Sequence, residues 1–513
     1  VDNDCDGDTD EDDAADASAW YADTDGDGYG DASVSLTACS APSGAVADDT
    51  DCDDSDSSTY PAAAETCYDG VVNDCDGTEA DALAQCTLTG DLDTDDATWA
   101  FEGDAGDQAG AAVTFEDLDG DGDLDMAVGA PGHDSDAGAV YVVLDPGSAT
   151  SNVLSDGDLI LEGSASTEGG YALAWWDGDG DGDDDLIVGA PTAGGYSYGG
   201  LHLVPGPLSA TGTASLPGLM TTTKKHANCG ERLTAVGDLN GDGDTDLSVS
   251  CLGWDSSAGK VLLFTGPLSG VSDLSTSADH SLVGDASGQN AGASVTAADL
   301  NGDGQDDWII GAYAANSSKG AAWVFNGPIS GDPGPGDADL DLRGVSSGGK
   351  CAPVTTLDHN GDGSADLVVG CPGSTSTTGY AYVLNGSLSA TASLGSANAT
   401  ISASKVGFGT TLASAGDLDG DGYDDLLVAA PSASAKAGTT YFFYGPFSAS
   451  MTSADADATL TGTPGTSSGD VVFGDFDGNG DGLNEVGFTG IGAANTSGSG
   501  NSGAVYLYSG AEY

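Results

Sequence analysis

Apolar positions in this chain fall in short runs bounded by Gly and Pro, and the runs recur in a fixed order. A run such as "AGAAVTFED" (109–117) leads into an acidic turn, and "DMAVGAP" (125–131) follows it. A variable loop then leads to "GAVYVVLDPG" (138–147), and a second one to "LILEG" (159–163). Later copies read "AGASVTAAD" (291–299), "DLIVGAP" (185–191), "KVLLFTGPLS" (260–269) and "SLVGD" (281–285). The runs are short and rich in β-formers, so each predicts a strand. No stretch carries a long helical apolar period.

The repeat sets the fold class. Four antiparallel strands per unit, repeated seven times, predict an all-β, seven-bladed β-propeller. A blade cannot bury both faces alone, so blades must stack around an axis. The last unit ends on "GAVYLYSG" (503–510), three residues before Tyr513, which leaves it short of a fourth strand. "TWAFEG" (98–103) lies about 18 residues before the first acidic turn, the offset at which fourth strands precede later turns. We therefore expect it to complete the seventh blade and cover an open sheet edge. The expected organisation is a small irregular Cys/Asp-rich region over 1–86, a linker over 87–96, and the propeller over 97–513.

The acidic turns share the pattern D-x-[DN]-x-[DN]-G-x-x-[DE], starting at Asp117, Asp177, Asp238, Asp299, Asp358, Asp417 and Asp477, at spacings of 60, 61, 61, 59, 59 and 60. Calcium takes six to eight oxygens and favours clustered carboxylates around a Gly turn. Positions 1, 3, 5 and 9 supply side-chain oxygens, and position 7 a backbone carbonyl. The first loop offers Asp117, Asp119, Asp121 and Asp125 with Asp123 at position 7; the second, Asp177, Asp179, Asp181 and Asp185 with Asp183. The third offers Asp238, Asn240, Asp242 and Asp246 with Asp244; the fourth, Asp299, Asn301, Asp303 and Asp307 with Gln305. The fifth has Asp358, Asn360, Asp362 and Asp366 with Ser364; the sixth, Asp417, Asp419, Asp421 and Asp425 with Tyr423. The seventh, least regular, has Asp477, Asn479, Asp481 and Glu485 with Leu483. An apolar residue follows position 9 each time (Met126, Leu186, Leu247, Trp308, Leu367, Leu426, Val486) and should plug the loop into its blade.

These units resemble FG-GAP repeats, the calcium-binding propeller blades of integrin alpha subunits and many bacterial surface proteins. "GDLDGDGYDDLLVAAP" (416–431), preceded by "FG" (408–409), carries the likeness most fully. "GAP" is intact at 129–131 and 189–191 and drifts to "GAY" (311–313) and "GCP" (370–372). The resemblance covers roughly 97 to 510 and implies about one Ca2+ per blade.

Residues 1–86 differ: they hold six of the ten cysteines, 25 acidic residues and no Lys, Arg or His. "VDNDCDGDTDE" (1–11) recurs as "VVNDCDGTEAD" (71–81). Asp23, Asp25, Asp27 and Asp31 fit the calcium pattern, as do Asp2, Asp4, Asp6 and Asp10. The stretch 51–77 resembles the Cys/Asp-rich metal-binding repeats of bacterial surface proteins, the MopE-like type. That name carries a copper association, but without His the region lacks nitrogen ligands, and calcium is the expected ion.

The formal charge is −75, with 84 Asp plus Glu against 9 Lys plus Arg, and the first of those cations is Lys224. Such a surface repels nucleic acid and anionic membranes. Adaptation to high salt is a rival reading of the charge, but it would spread the acids rather than hold them in register. No run is long enough to span a membrane. Residue 1 is Val and no secretory signal is present, so we expect a chain that starts after processing or within a longer protein.

The even cysteine count and the lack of C-x-x-C favour disulfides. Cys229 with Cys251, and Cys351 with Cys371, flank the third and fifth loops and should bridge within a blade, away from calcium. Cys67–Cys75 and Cys39–Cys52 are candidate pairs that the sequence leaves open. The five histidines are scattered, and none stands beside an obvious nucleophile; His359, at position 2 of a loop, reads as exposed. With no catalytic constellation legible, the leading expectation is an extracellular or cell-surface adhesion module. Its variable loops, with Tyr196, Tyr198, Trp254 and Tyr313, would meet a protein or glycan ligand. The alternatives are a calcium-dependent polysaccharide lyase and a purely structural spacer.

Overall fold

In the computed structural model, the residues described are 18–38, 40–61, 63, 75, 90–94, 97–120, 124–144, 146, 153–208, 211–268, 271, 273–345, 349–374, 377–388, 393–433, 437–462, 471–476, 485–494 and 501–508. They fall into two compact units, one within residues 1–87 and one within 88–509.

The larger unit is all-β. Its described residues form seven antiparallel sheets of four strands, three of them extended by a fifth strand. Sheet 1 holds Ala112–Glu116, Asp125–Ala130, Ala139–Val143 and Leu159–Glu162. Sheet 2 holds Leu173–Trp176, Asp185–Ala190, Gly200–Val204 and Leu219–Thr221. Sheet 3 holds Cys229–Ala235, Leu247–Cys251, Lys260–Phe264 and His280–Val283. Sheet 4 holds Ala291–Ala298, Asp307–Ala312, Ala321–Phe325 and Leu340–Arg343. Sheet 5 holds Val354–Leu357, Asp366–Cys371, Gly379–Leu384 and Ala399–Ala403. Sheet 6 holds Thr411–Ser414, Leu426–Ala429, Thr439–Phe443 and Ala458–Thr461. In sheet 7, Val472–Phe476, Glu485–Thr489 and Ala504–Tyr508 are joined by Trp99–Glu102, which pairs Phe101 with Val505. That pairing is the one expected of "TWAFEG".

Each sheet buries both faces. Leu426 and Val428 pack towards sheet 5, against Val368 and Val383, while Leu427 and Ala429 pack towards sheet 7, against Val486 and Phe488. Alternation along a strand sends neighbouring side chains to opposite faces, so a strand buried on both reads as one apolar run. Seven clusters of buried residues join the sheets in sequence order, and one of them joins sheet 7 to sheet 1 through Phe101, Val505, Leu507, Met126 and Val128. A cavity of about 490 Å3 is lined from six of the sheets, by Ala112, Leu173, Leu233, Ser294, Val354 and Leu412, and by Val471, which directly precedes the first strand of the seventh.

The Gly of "GAP" has a steric cause. A Cβ on Gly129 would lie 2.0 Å from the Gly170 carbonyl oxygen of the next sheet, and one on Gly311 would lie 2.0 Å from that of Ala352. Only a residue without a side chain permits that approach.

The stretch 87–96, expected as a linker, contains a strand. Gly90–Asp93 pairs parallel with Ala458–Thr461, the outer strand of sheet 6. Gly212–Ser215 and Met451–Thr452 do the same to the outer strands of sheets 1 and 5. Each precedes the fourth strand of its own unit, as Gly90–Asp93 precedes Trp99–Glu102, and each covers an exposed edge.

In the smaller unit, Ser18–Ala22 pairs with Asp31–Ala38 and with Ala45–Val46. Cys52 is bonded to Cys75. This corrects both candidate pairs, Cys67–Cys75 and Cys39–Cys52, since each shares a cysteine with the observed bond.

Candidate metal centres

The acidic loops join the first and second strands of their sheets, and the variable loops join the second and third. In an antiparallel sheet these connections lie at opposite ends.

Position 9 opens the second strand and is buried in every described case: Asp125, Asp185, Asp246, Asp307, Asp366 and Asp425 are at most 1% exposed. The apolar residue after it is fully buried as well, from Met126 to Leu426. One oxygen of position 9 accepts the amide of position 2, as in Leu118 to Asp125 at 2.8 Å and Leu418 to Asp425 at 2.8 Å. The other oxygen accepts the amide of a Gly after the third strand: Gly206 to Asp185 at 2.9 Å, Gly327 to Asp307 at 3.1 Å, Gly445 to Asp425 at 2.8 Å. In the third loop that second partner is missing, and the buried Asp246 Oδ1 makes no hydrogen bond.

Position 1 wraps the turn. Asp299 accepts amides from Gly302 and Gly304, each at 2.7 Å, and from Asp303 at 3.1 Å. Position 5 caps position 7: Asp303 accepts from Gln305 at 3.0 Å, Asp362 from Ser364 at 3.0 Å, and Asp421 from Tyr423 at 3.0 Å. The loops therefore hold their shape through backbone amides while carboxylates crowd together.

Electrostatics separate the two positions. Burial, reinforced by neighbouring carboxylates, pushes Asp246 up to about 7, Asp307 to about 6 and Asp425 to about 8. Asp419 rises to about 6, from burial and then from the Asp421 charge. At Asp299 burial also opposes ionisation, but the amides of Gly304, Gly302 and Asp303 outweigh it and hold the group below the usual range. Burial thus biases Asp246, Asp307 and Asp425 towards the neutral form.

The loops form two classes. Where position 3 is Asp, carboxylates converge: oxygens of Asp117, Asp119 and Asp125, and of Asp177, Asp179 and Asp185, lie within 4.8 Å of one another. Where it is Asn, the amide answers a carboxylate. Asn301 donates to Asp307 at 3.1 Å, Asn360 to Asp366 at 2.7 Å, and Asn240 to Asp242 at 2.8 Å. The donor set is all hard oxygen, and no loop contains Lys or Arg. Together with the orphaned Asp246 Oδ1, this fits a hard divalent cation. Asp2, Asp4, Asp6, Asp10, Asp121, Asp123, Asp477, Asn479, Asp481, Leu483 and the side chain of Glu485 lie outside the described residues.

His359, expected to be exposed, is buried. It stacks on Phe447 with ring centroids 4.8 Å apart, and its Nε2 lies 3.2 Å from Asn385 Oδ1 and 3.5 Å from Asp366. Burying the ring against Phe447 outweighs the exposure of the turn itself.

In the smaller unit Asp23, Asp25 and Asp27 cluster within one hairpin turn. Asp31 is turned away, both oxygens engaged by Ser33 at 2.7 and 2.6 Å. Asp51 and Asp54, which the sequence pattern missed, come up to Asp25 instead. Buried oxygens of Asp25, Asp27 and Asp51 have no partner.

The expected Cys229–Cys251 and Cys351–Cys371 bridges are formed. Cys229 and Cys251 are register partners at the end of sheet 3 away from its acidic loop. On the variable end of sheet 1, Tyr141 donates to the buried Asp107, and His133 Nδ1 lies 3.3 Å from Asp107 and 3.1 Å from the Tyr141 hydroxyl. No motif in the chain marks this trio, whose members sit 26 and 8 residues apart.

The chain carries FG-GAP repeats, matched at 109–143, 291–325 and 408–443. It also carries the "Putative metal-binding motif" of the MopE type, matched at 1–11 and 51–81. Phosphatidylinositol-glycan-specific phospholipase D of Mus musculus is 36% identical over 154 residues, which is 27% of this chain and 18% of that protein. Integrin alpha-IIb of Mus musculus is 34% identical over 160 residues, 29% of this chain and 15% of that protein. Integrin alpha pat-2 of Caenorhabditis briggsae is 30% identical over 223 residues, 39% and 18% of the two chains. This chain thus spans less than a fifth of the length of each.

Proposed function

We propose that this chain, with its FG-GAP repeats and MopE-like motif, is a calcium-braced, seven-bladed propeller. It serves as an extracellular recognition and adhesion module whose variable loops meet a protein or glycan ligand. One observation carries the reading. At the same end of successive sheets a buried position-9 carboxylate shares a loop with other acids and no cation, and in the third loop its Oδ1 lacks any partner. The expected range of the ring, 97–513, and the separate region 1–86 are part of the proposal. The core that joins sheet 7 to sheet 1, and the cavity lined by six sheets and by Val471 next to the seventh, support a closed ring.

The residues divide the work. Position 9 fixes the loop to the second strand, position 1 fixes the turn, and positions 3 and 5 complete the oxygen set with the position-7 carbonyl. Bound calcium would supply the positive charge that the loops lack, turning repulsion between carboxylates into attraction. A site formed only in the folded state adds its binding free energy to folding. In the N-terminal unit, Asp23, Asp25, Asp27, Asp51 and Asp54 are the proposed ligands.

Repetition favours bracing over catalysis. The Tyr141 hydroxyl is fully buried, engaged by Asp107 and driven far above its usual pKa by burial and then by that carboxylate. It is therefore not offered to a substrate as a base. Three disulfides formed among the described residues favour an oxidising, extracellular setting. Among the described residues no helix is long and apolar enough to cross a membrane.

Glycan and protein arrays probed with the calcium-loaded chain, alongside an eliminase assay on acidic polysaccharides, test the reading. Saturable binding without turnover supports it. Turnover would favour the lyase, and an inert chain would favour a spacer.

A further inference from the structure

The nine Lys and Arg residues are too few to neutralise this chain, yet among the described residues four of them stand over aromatic rings. Lys225 lies 4.0 Å from the ring centre of Tyr196, Lys224 and Lys260 each 4.8 Å from that of Trp254, and Lys350 4.5 Å from that of Tyr313. The first three share one patch, at the variable end between sheets 2 and 3. Tyr196 is 55% exposed and meets the edges of Tyr198 and His226 at 6.2 and 6.4 Å. Lys225 and His226 are exposed too. Lys224 is paired with Asp255, and Asp273 is occupied by Ser275 and Thr223. Among the described residues Lys225 makes no ion pair.

The patch is built rather than incidental. Its central segment, 222–229, is tied on one side by the amides of His226, Asn228 and Cys229 to the carbonyls of Tyr196, Ser197 and Tyr198. On the other side the Gly253 amide donates to Ala227. Trp254 precedes Asp255 and Ser256, held at φ 46° and 63° in a tight left-handed turn. Such a frame holds the backbone under the rings and ammonium groups and so lowers the ordering cost of binding.

On this evidence, and resting on the recognition reading above, we infer that the Tyr196–Lys225–Trp254 patch binds an acidic saccharide, a uronate-bearing glycan. The carboxylate meets Lys225 and the pyranose ring lies against Tyr196. Salt screens the distant negative charge of the molecule beyond about 8 Å, so the local cations decide. A peptide fits less well. Strand addition needs free main-chain groups, and the amides of 226, 228 and 229 are already engaged. What remains is ring faces and ammonium groups, which suit a flat, charged sugar.

The test uses the full chain in saturating calcium with oligogalacturonate too short to gel, its carboxyl-reduced counterpart, and poly-L-glutamate. Binding to oligogalacturonate alone is expected, weakened about tenfold by Lys225→Gln and similarly by Tyr196→Ala, with Lys405→Gln as an exposed charge control that changes nothing. The proposal is overturned if oligogalacturonate does not bind, or if Lys405→Gln weakens it as much as Lys225→Gln. Poly-L-glutamate bound as well and lost with the same variants would make the ligand an acidic peptide and also overturn it. Array binding that survives Lys225→Gln overturns this site and leaves the recognition reading standing.

Discussion

Leu239 donates its amide to Asp246 Oδ2 at 2.9 Å, while Oδ1 of the same carboxylate, equally buried, has no hydrogen bond at all. Half of this group is tied to its loop, and the other half is the oxygen that the proposed calcium would engage. Asp246→Asn should therefore change sign with conditions. In calcium it lowers unfolding free energy by about 2 kcal/mol, the scale of a lost buried charged partner. In chelator it raises stability relative to the parent, because an unanswered buried charge is gone. Denaturant unfolding of both proteins in both conditions checks this.

Gly503 binds the two ends of the repeat array together. Its φ is +78°, and an added Cβ would lie 2.1 Å from the carbonyl oxygen of Ala109. Gly503→Ala should cost about 3 kcal/mol or more, through backbone strain plus collision. Gly212→Ala is the control: its φ is +99° with nothing within 4 Å, so only the conformational cost of roughly 1–2 kcal/mol applies. Equal losses in a denaturant series would mean that the junction is not tightly packed.

His202 sets an acid limit apart from any metal. It is buried, its Nδ1 lies 2.5 Å from the Pro217 carbonyl, and its Nε2 has no partner. Burial holds its pKa below the usual value, against the opposing pull of that carbonyl. The neutral ring is therefore the folded form. Its contribution is fully present above the unfolded pKa of about 6.5 and is lost as pH falls below it, at up to about 1.4 kcal/mol per pH unit. His202→Gln should flatten that part of the stability–pH curve, and an unchanged slope would refute the assignment.

The Cys229–Cys251 bridge lies at the end of sheet 3 away from Asp246. Replacing both cysteines with Ala should lower stability by about 3 kcal/mol, mostly by freeing the unfolded chain. It should leave bound calcium unchanged by elemental analysis.

The strand pattern was legible because each sheet buries both faces and writes its second strand as one apolar run, as in "DLLVAA". The D-x-[DN]-x-[DN]-G spacing marked the loops because position 9 must open a buried strand. Sequence was silent where contact is made at long range. Gly90–Asp93 is polar and short, and becomes a strand only against Ala458–Thr461. Asp51 and Asp54 reach Asp25 across about 26 residues outside the nine-residue pattern. Acids such as Asp158, Asp279 and Asp457 serve no loop. They accept the amides of Leu144, Thr265 and Tyr444 beside their fourth strands. Composition alone cannot separate such bracing acids from metal ligands.

Calorimetric titration of the chelated chain with calcium, followed by thermal unfolding of the same samples, bears most directly on the central claim. The account predicts several bound ions per chain and a melting temperature that climbs with free calcium. Each site held at a hundredfold excess over its dissociation constant adds about 2.7 kcal/mol. A chain that takes up no calcium, or melts at the same temperature with and without it, would contradict the account.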